Sequence, residues 1–372
     1  MKHSIKLKIK KYLLCISSLL LIVSIFANAS YFEKPINVFS QKYALKIAKF
    51  ILPFSESKIE EKQTKNHLKT TENSQKNAEI GSKTAQNEPK TAQKTTKSNE
   101  ILPIQSQEYG GKVISQTIDK SGANLSLGDV FIRNKTEKSI DISKALKNKP
   151  TLKIKLNSTK PQVLIVHTHA SECFFPKLAQ YYPKSWGERD EAPENNMISI
   201  GKIIAQKLNK SGIKTIQSQT IFDKESYTYS YDRSREAIIS YLEKYPSIKV
   251  VLDVHRDAIN CENGDKIRPI INVNGKTAGQ IMIISGCQSG DITGYPNWTK
   301  NLRFNIRLQQ KLEQTYPNFA RPLFFAEKKY NQDLCENSFL LEVGSQANTL
   351  SEAKYSAELF SNVFIKYLKE FS

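Results

Sequence analysis

Two histidines stand one residue apart where an apolar run stops: VLIV (163–166) leads into His167-Thr168-His169, with Glu172 three residues on. A second run, IKVVLDV, ends in His255, followed by Arg256 and Asp257. A third, SFLL, ends in Glu342, followed by Val343-Gly344. The chain has only five histidines, and three of them close apolar runs in this way. Imidazole and carboxylate are the usual ligands of catalytic zinc, which takes three protein ligands and keeps one position for water. Water so bound has a pKa of about 7. A further carboxylate can take its proton and pass it to a leaving group. His169, His255, a glutamate from the segment after the first run, and Glu342 would supply that set. A carboxylate directly after Phe339-Leu340-Leu341 carries a desolvation cost unless it has a partner or a task. His167 follows immediately on its run and reads either as a buried structural histidine or as a group that supports the site. A thiol–imidazole pair, Cys173 with His169, is the competing enzyme reading, and it leaves His255 and Glu342 without a role.

The elements that must position these residues are legible as alternating strands and helices. Val163–Val166, Ile248–His255, Gly279–Ser285 and Ser338–Gly344 are short apolar runs of the kind found in strands covered on both faces. MISIGKIIAQKLNKSGI has apolar side chains at helical spacing and a Ser211-Gly212 stop. DRSREAIISYLEKY, NLRFNIRLQQKLEQTYP (ended by Pro317) and the closing TLSEAKYSAELFSNVFIKYLKEF, with Thr349 or Ser351 as its cap, read as three more helices. This pattern predicts an α/β fold with a mostly parallel sheet flanked by helices. In such sheets, sites form beyond the carboxyl ends of the strands, where these histidines and Glu342 stand. Residues 101–160 read as short strands and a helix packed against a catalytic domain at 161–372.

Composition bounds the rest. The chain has 372 residues and a net charge of +19, which favours anionic partners such as nucleic acid, anionic lipid or an acidic polymer. Residues 1–30 carry a basic lead and an apolar run from Tyr12 to about Ala29. As a helix that run spans roughly 27 Å, just short of a hydrocarbon core of about 30 Å. It reads as an uncleaved single-pass anchor, with a signal peptide cut after Ala27-Asn28-Ala29 as the alternative. In either case the lysines ahead of the run place the remainder outside the cytoplasm, which makes nucleic acid an unsuitable partner. Residues 31–54 mix apolar and basic side chains and fit a juxtamembrane helix. Residues 55–100 are almost devoid of large apolar side chains and read as a disordered tether, with a reach of roughly 35–40 Å. The five cysteines show no C-x-x-C spacing and predict no disulfide scaffold.

The segments VLIVHTHASE, LDVHRDAI, YNQDL and LLEVGSQANTLSEA, in this order, resemble the stage II sporulation protein P family of membrane-anchored cell-wall hydrolases that act in engulfment. The resemblance covers roughly residues 110–370, and the anchor and tether ahead of it agree. More distantly, the chain is similar to zinc-dependent N-acetylmuramoyl-L-alanine amidases of phosphorylase/hydrolase-like fold. The resemblance implies a peptidoglycan hydrolase, with amidase and endopeptidase activities, a Zn2+ cofactor, and as partners a companion lytic transglycosylase and a membrane protein complex. It implies His169, Glu194 and His255 as metal ligands and Glu342 as the catalytic carboxylate. Glu172 competes with Glu194 for the ligand role, and the resemblance favours Glu194. Arg256 and Asp257 are implied as supporting or substrate-binding groups, the guanidinium suited to a peptide carboxylate. Asn331, Gln332 and Asp333 are implied to line the site or hold its loops. Two other readings stand beside this one: a non-catalytic wall-binding or scaffolding protein of the same fold, and a different zinc hydrolase such as a deacetylase.

Overall fold

The computed structural model describes residues 109–372. The expected anchor, juxtamembrane helix and tether lie outside the described residues. Among the described residues no helix is long and apolar enough to cross a membrane.

The chain begins with β1 (Tyr109–Gln116), β2 (Leu125–Leu127), β3 (Val130–Asn134) and the short helix α1 (Ile142–Lys147). It continues through β4 (Val163–Val166), β5 (Tyr181–Pro183), α2 (Met197–Lys210), β6 (Thr215–Gln217), α3 (Ser230–Lys244) and β7 (Val250–Asp257). Then come β8 (Lys266–Val273), β9 (Lys276–Gly279), β10 (Ile281–Gly286), α4 (Trp298–Thr315), β11 (Leu323–Ala326), β12 (Phe339–Ser345) and α5 (Leu350–Lys369).

Eight strands form the main sheet in the order β2-β3-β11-β10-β12-β7-β4-β6. Strands β6, β4, β7 and β12 run parallel. The expected third strand, β10, runs antiparallel to β12, and β11 and β3 follow its direction. The ends where β10 and β11 begin therefore lie on the same edge where β4, β7 and β12 finish. The N-terminal segment is part of this architecture, because β2 and β3 close one edge of the main sheet. A smaller sheet, β5-β1-β8-β9, went unread in the sequence. Its β8–β9 hairpin turns on Asn274-Gly275, both at positive φ (51° and 76°), the Asn-Gly signal of a tight two-residue turn.

The sheet is covered on both faces, so its central strands lack polar alternation. In β4, Val163 and Ile165 join the large core with Met197, Ile200, Ile204 and Leu208 of α2. Leu164 and Val166 join a second cluster around Ile238 of α3. Helix α2 starts where the Asn196 side chain accepts from Ile198 N at 2.9 Å. Helix α5 starts with a reciprocal Thr349–Glu352 capping box, the first of its two expected caps; such a cap is worth about 1 kcal/mol.

Candidate active site

Alternation along the strands decides which side chains meet. In β7, Val250, Leu252 and Val254 belong to the large core and Val251 to the α3 cluster. Asp253 and His255 therefore stand on the α3 face. In β12, Phe339, Leu341 and Val343 belong to the large core, so Glu342 shares that face, and it is the register partner of His255. Beyond β4, the His169 ring crosses the His255 ring edge to face, with centroids 5.3 Å apart. The Glu172 N–H donates to His169 O at 3.2 Å. This turn folds Glu172 back until its Oε2 lies 3.7 Å from His255 Nδ1. Past Glu342 the ladder shifts register at Gly344, whose φ of 66° is a conformation glycine adopts without strain.

Each imidazole backs onto a buried carboxylate. His169 Nδ1 lies 3.2 Å from Ser230 Oγ and 4.0 Å from Asp223 Oδ2. Asp223 in turn accepts from Ser171 Oγ at 2.6 Å and from Arg189 Nη1 at 2.5 Å. His255 Nε2 lies 2.9 Å from Asp253 Oδ1, off the line of a hydrogen bond. Burial, helped by the neighbouring His255, lowers the His169 imidazole to about 3 and keeps it neutral. Burial would lower His255 as well, but Asp253, Glu172 and Glu342 outweigh it and raise this imidazole to about 10. Burial raises the Glu172 carboxyl, against the pull of His255 and Arg256. Burial and then the Asp257 charge raise Glu342 to about 8. Glu342 is 9% exposed, and its Oε2 has no hydrogen-bond partner. Tyr227 stacks on His169 at 4.2 Å, and Tyr231 lies parallel to the His255 ring at 6.4 Å.

The other expected residues fall into place around this group. His167 points to the opposite face. Its Nδ1 donates to Val254 O at 3.0 Å and its Nε2 accepts from Gln217 Nε2 at 2.9 Å, so it is a satisfied structural histidine. Arg256 spends its donors on the backbone: Nε on Cys173 O at 2.7 Å, Nη2 on Glu188 O at 2.8 Å and Nη1 on Asp257 O at 3.3 Å. Asp257 accepts from Arg321 Nη1 at 2.7 Å, while Arg321 Nε and Nη2 are buried without partners. Asn331 Nδ2 donates to Tyr231 O and Ser234 Oγ, and Asp333 pairs with Arg235 at 2.8 and 2.6 Å, so both brace α3. Gln332 ties β10 to this loop through Gly286 N and Ile284 O. Glu194 is exposed on the turn before Asn196, and no hydrogen bond or ion pair joins it to His169, His255 or Glu342. The carboxylate that the fold brings to His255 is Glu172. Cys173 is a buried free thiol pushed up to about 11 by burial, which leaves the thiol–imidazole reading without a thiolate.

Sequence reasoning missed Asp253, Asp223, Ser230, Tyr227 and Arg321. For Asp253 the signal was present: a carboxylate inside the apolar run VVLDV, two residues before His255 and therefore on the same strand face.

A model of the stage II sporulation protein P family matches residues 27–365. The chain belongs to that family. Stage II sporulation protein P of Bacillus subtilis is 26% identical over 216 residues, 55% of this chain and 50% of that protein; the chain thus spans about half the length of this curated relative. Among solved structures, an N-acetylmuramoyl-L-alanine amidase of Nostoc punctiforme is similar at 14% identity and TM-score 0.36, over 57% of this chain and 99% of that one. An N-acetylmuramoyl-L-alanine amidase from Clostridium difficile is similar at 17% identity and TM-score 0.34, over 58% and 100%. At such scores the likeness says nothing about chemistry.

In this sporulation-family chain, zinc has to be tested on the residues themselves. Among the described residues no three His, Cys, Asp or Glu side chains form a ready metal cluster. Two imidazoles and Glu172 nevertheless stand side by side. The 3.7 Å between Glu172 Oε2 and His255 Nδ1 is too long for a hydrogen bond. It is close to the separation of two ligands on one tetrahedral zinc, about 3.3–3.6 Å for bonds of about 2.0–2.2 Å. Glu342 Oε2 is a buried acceptor with no hydrogen-bond partner in the protein. By donor type and by this orphaned oxygen, the residues fit a zinc ion and its water.

Proposed function

We propose that this chain is a zinc-dependent peptidoglycan hydrolase that cleaves the amide between N-acetylmuramic acid and the L-alanine of the stem peptide. Cleavage of peptide cross-links is a second activity of the same site, and the setting is thinning of the septal wall during sporulation. One observation carries this reading. On one face of the sheet edge, two imidazoles and a buried glutamate adjoin a second buried glutamate with an unpartnered oxygen, in a chain of a sporulation family.

His169, Glu172 and His255 are the residues that would hold the ion. When bound, zinc would supply a water acidified to a pKa of about 7 and polarisation of the scissile carbonyl. Glu342 Oε2 is the atom that would take a proton from the attacking water and return it to the leaving amine. Burial raises its carboxyl above the ordinary glutamate range, which strengthens it as a proton acceptor. Ser230 and Asp223 fix the His169 ring from behind at Nδ1. The basic surface, +19 over the whole chain, holds the enzyme on an anionic wall. Anchorage by residues 1–30, an extracytoplasmic catalytic unit, a companion lytic transglycosylase and a membrane complex complete the proposal.

Digestion of purified sacculi with and without a chelator tests it. Free stem peptides beginning with L-alanine, lost when zinc is removed, support the amidase. Release of acetate with the stem left attached supports a deacetylase instead. Sacculi that bind the chain but stay intact at every zinc concentration support a wall-binding scaffold.

A further inference from the structure

We infer that Asp253 is a positioning residue: it holds the His255 ring at Nε2, so that His255 presents Nδ1, on the Glu172 side, to a divalent metal ion. This rests on the metal-dependent reading above and goes beyond it, by assigning the ligating nitrogen and the groups that fix it.

The two nitrogens of His255 have different surroundings. Nε2 is fully buried and in charge contact with Asp253 Oδ1 at 2.9 Å, off the line of a hydrogen bond, and that contact leaves no room for an ion on that side. Nδ1 faces Glu172 Oε2 at 3.7 Å. The ring nitrogen that takes a metal is set by what the other one holds. His169 shows the opposite arrangement. Its Nδ1 is the nitrogen engaged from behind, by Ser230 at 3.2 Å and Asp223 at 4.0 Å, which leaves Nε2 for a ligand. The two imidazoles would therefore meet one ion through different nitrogens.

Asp253 is itself fixed by a buried chain of hydrogen bonds. Its Oδ1 accepts from Thr168 N at 2.9 Å and its Oδ2 from Thr168 Oγ1 at 2.6 Å. Thr168 Oγ1 lies 2.8 Å from Ser234 Oγ of α3, and Ser234 Oγ accepts from Asn331 Nδ2 at 3.0 Å. Asn331 stands at φ 55°, after Tyr330 at φ 50°. Two successive non-glycine residues in this region are strained, and such strain persists only where the surroundings enforce it. A buried carboxylate is also expensive unless it is paired. The strained YNQDL loop, the central Thr168 of the HTH segment and the base of α3 thus converge on one carboxylate, and that carboxylate touches the His255 ring.

The test uses the full chain labelled with 15N-histidine, which has five histidines to assign. On titration with zinc, the His255 Nδ1 and His169 Nε2 resonances should take the metal-bound shift. A metal-bound shift at His255 Nε2 overturns the inference, and this measurement needs no variant to fold. Zinc affinity of Asp253→Asn, with its thermal unfolding recorded, gives a second readout. Loss of about 10–100-fold in affinity is expected, as for other carboxylates behind a ligating histidine. A folded Asp253→Asn chain that binds zinc as the wild type does overturns the inference while leaving the hydrolase reading intact. A wild-type chain that takes up no zinc overturns both.

Discussion

His167 and His169 are two residues apart and have opposite fates. His167 lies on the α2 face, fully buried, with both nitrogens satisfied by Val254 O and Gln217. Burial lowers its imidazole to about 4, so it is a neutral packing residue against Gly201. His169 lies on the α3 side, its ring crossing that of His255, close to a carboxylate with an unpartnered oxygen. Both are buried histidines at the end of one strand. What separates them is the other face's company: one is surrounded by groups whose hydrogen bonds are complete, the other by groups whose hydrogen bonds are not. Burial alone does not make a site; here it is imidazoles and carboxylates gathered on one face, with a carboxylate oxygen left unpartnered.

The largest effect that could break this contrast comes from the α3 side. His255→Ala should abolish both zinc uptake and turnover, read by metal content and by stem-peptide release; a variant that retains stoichiometric zinc removes His255 from the ligand set. Next, Glu172→Gln should weaken zinc binding strongly while Glu194→Gln leaves it unchanged, measured by competition with a chromogenic chelator. The reverse outcome would restore Glu194. On the α2 side the expectation is purely structural. A Cβ at Gly201 would stand 2.4 Å from His167 Nε2, so Gly201→Ala should cost about 1–3 kcal/mol of stability by overpacking. Turnover per folded molecule should be unchanged. Loss of turnover without loss of melting temperature would give the His167 face a part in the chemistry.

The smallest effect concerns pH. A carboxylate can act as a base only when ionised, so if Glu342 is the base proposed, turnover should rise with pH through its titration. Its carboxyl is raised to about 8 without metal, by burial and then by Asp257; a bound cation lowers that value. Asp257→Asn removes one of the raising charges, so the acid limb of kcat/KM should move to lower pH. A limb that stays in place, or moves up, would detach it from Glu342.

Much of this was legible in the sequence, and the exceptions have physical causes. Strands β4, β7, β10 and β12 announced themselves as apolar runs because both faces are covered, and helices α2 to α5 did so by periodicity. The direction of β10 was hidden, since a run such as IMIIS reads alike in either sense. Strands β5 and β6, of three residues, are too short to carry a pattern. His169, His255 and Glu342 could be placed at one edge from strand ends alone. The carboxylate beside them could not, because Glu172 reaches His255 through a tight turn, whereas the family resemblance favoured Glu194. The carboxylates behind the imidazoles required knowing which strands are neighbours.

The division of labour between the two buried glutamates is the central claim, and one measurement reaches it most directly: zinc content and sacculus cleavage determined together on Glu342→Gln. Full zinc occupancy with turnover lowered by about 10²–10⁴-fold is the predicted result, because Glu342 moves a proton and holds no metal. Cleavage at the wild-type rate, or loss of the metal with the carboxylate, would contradict it.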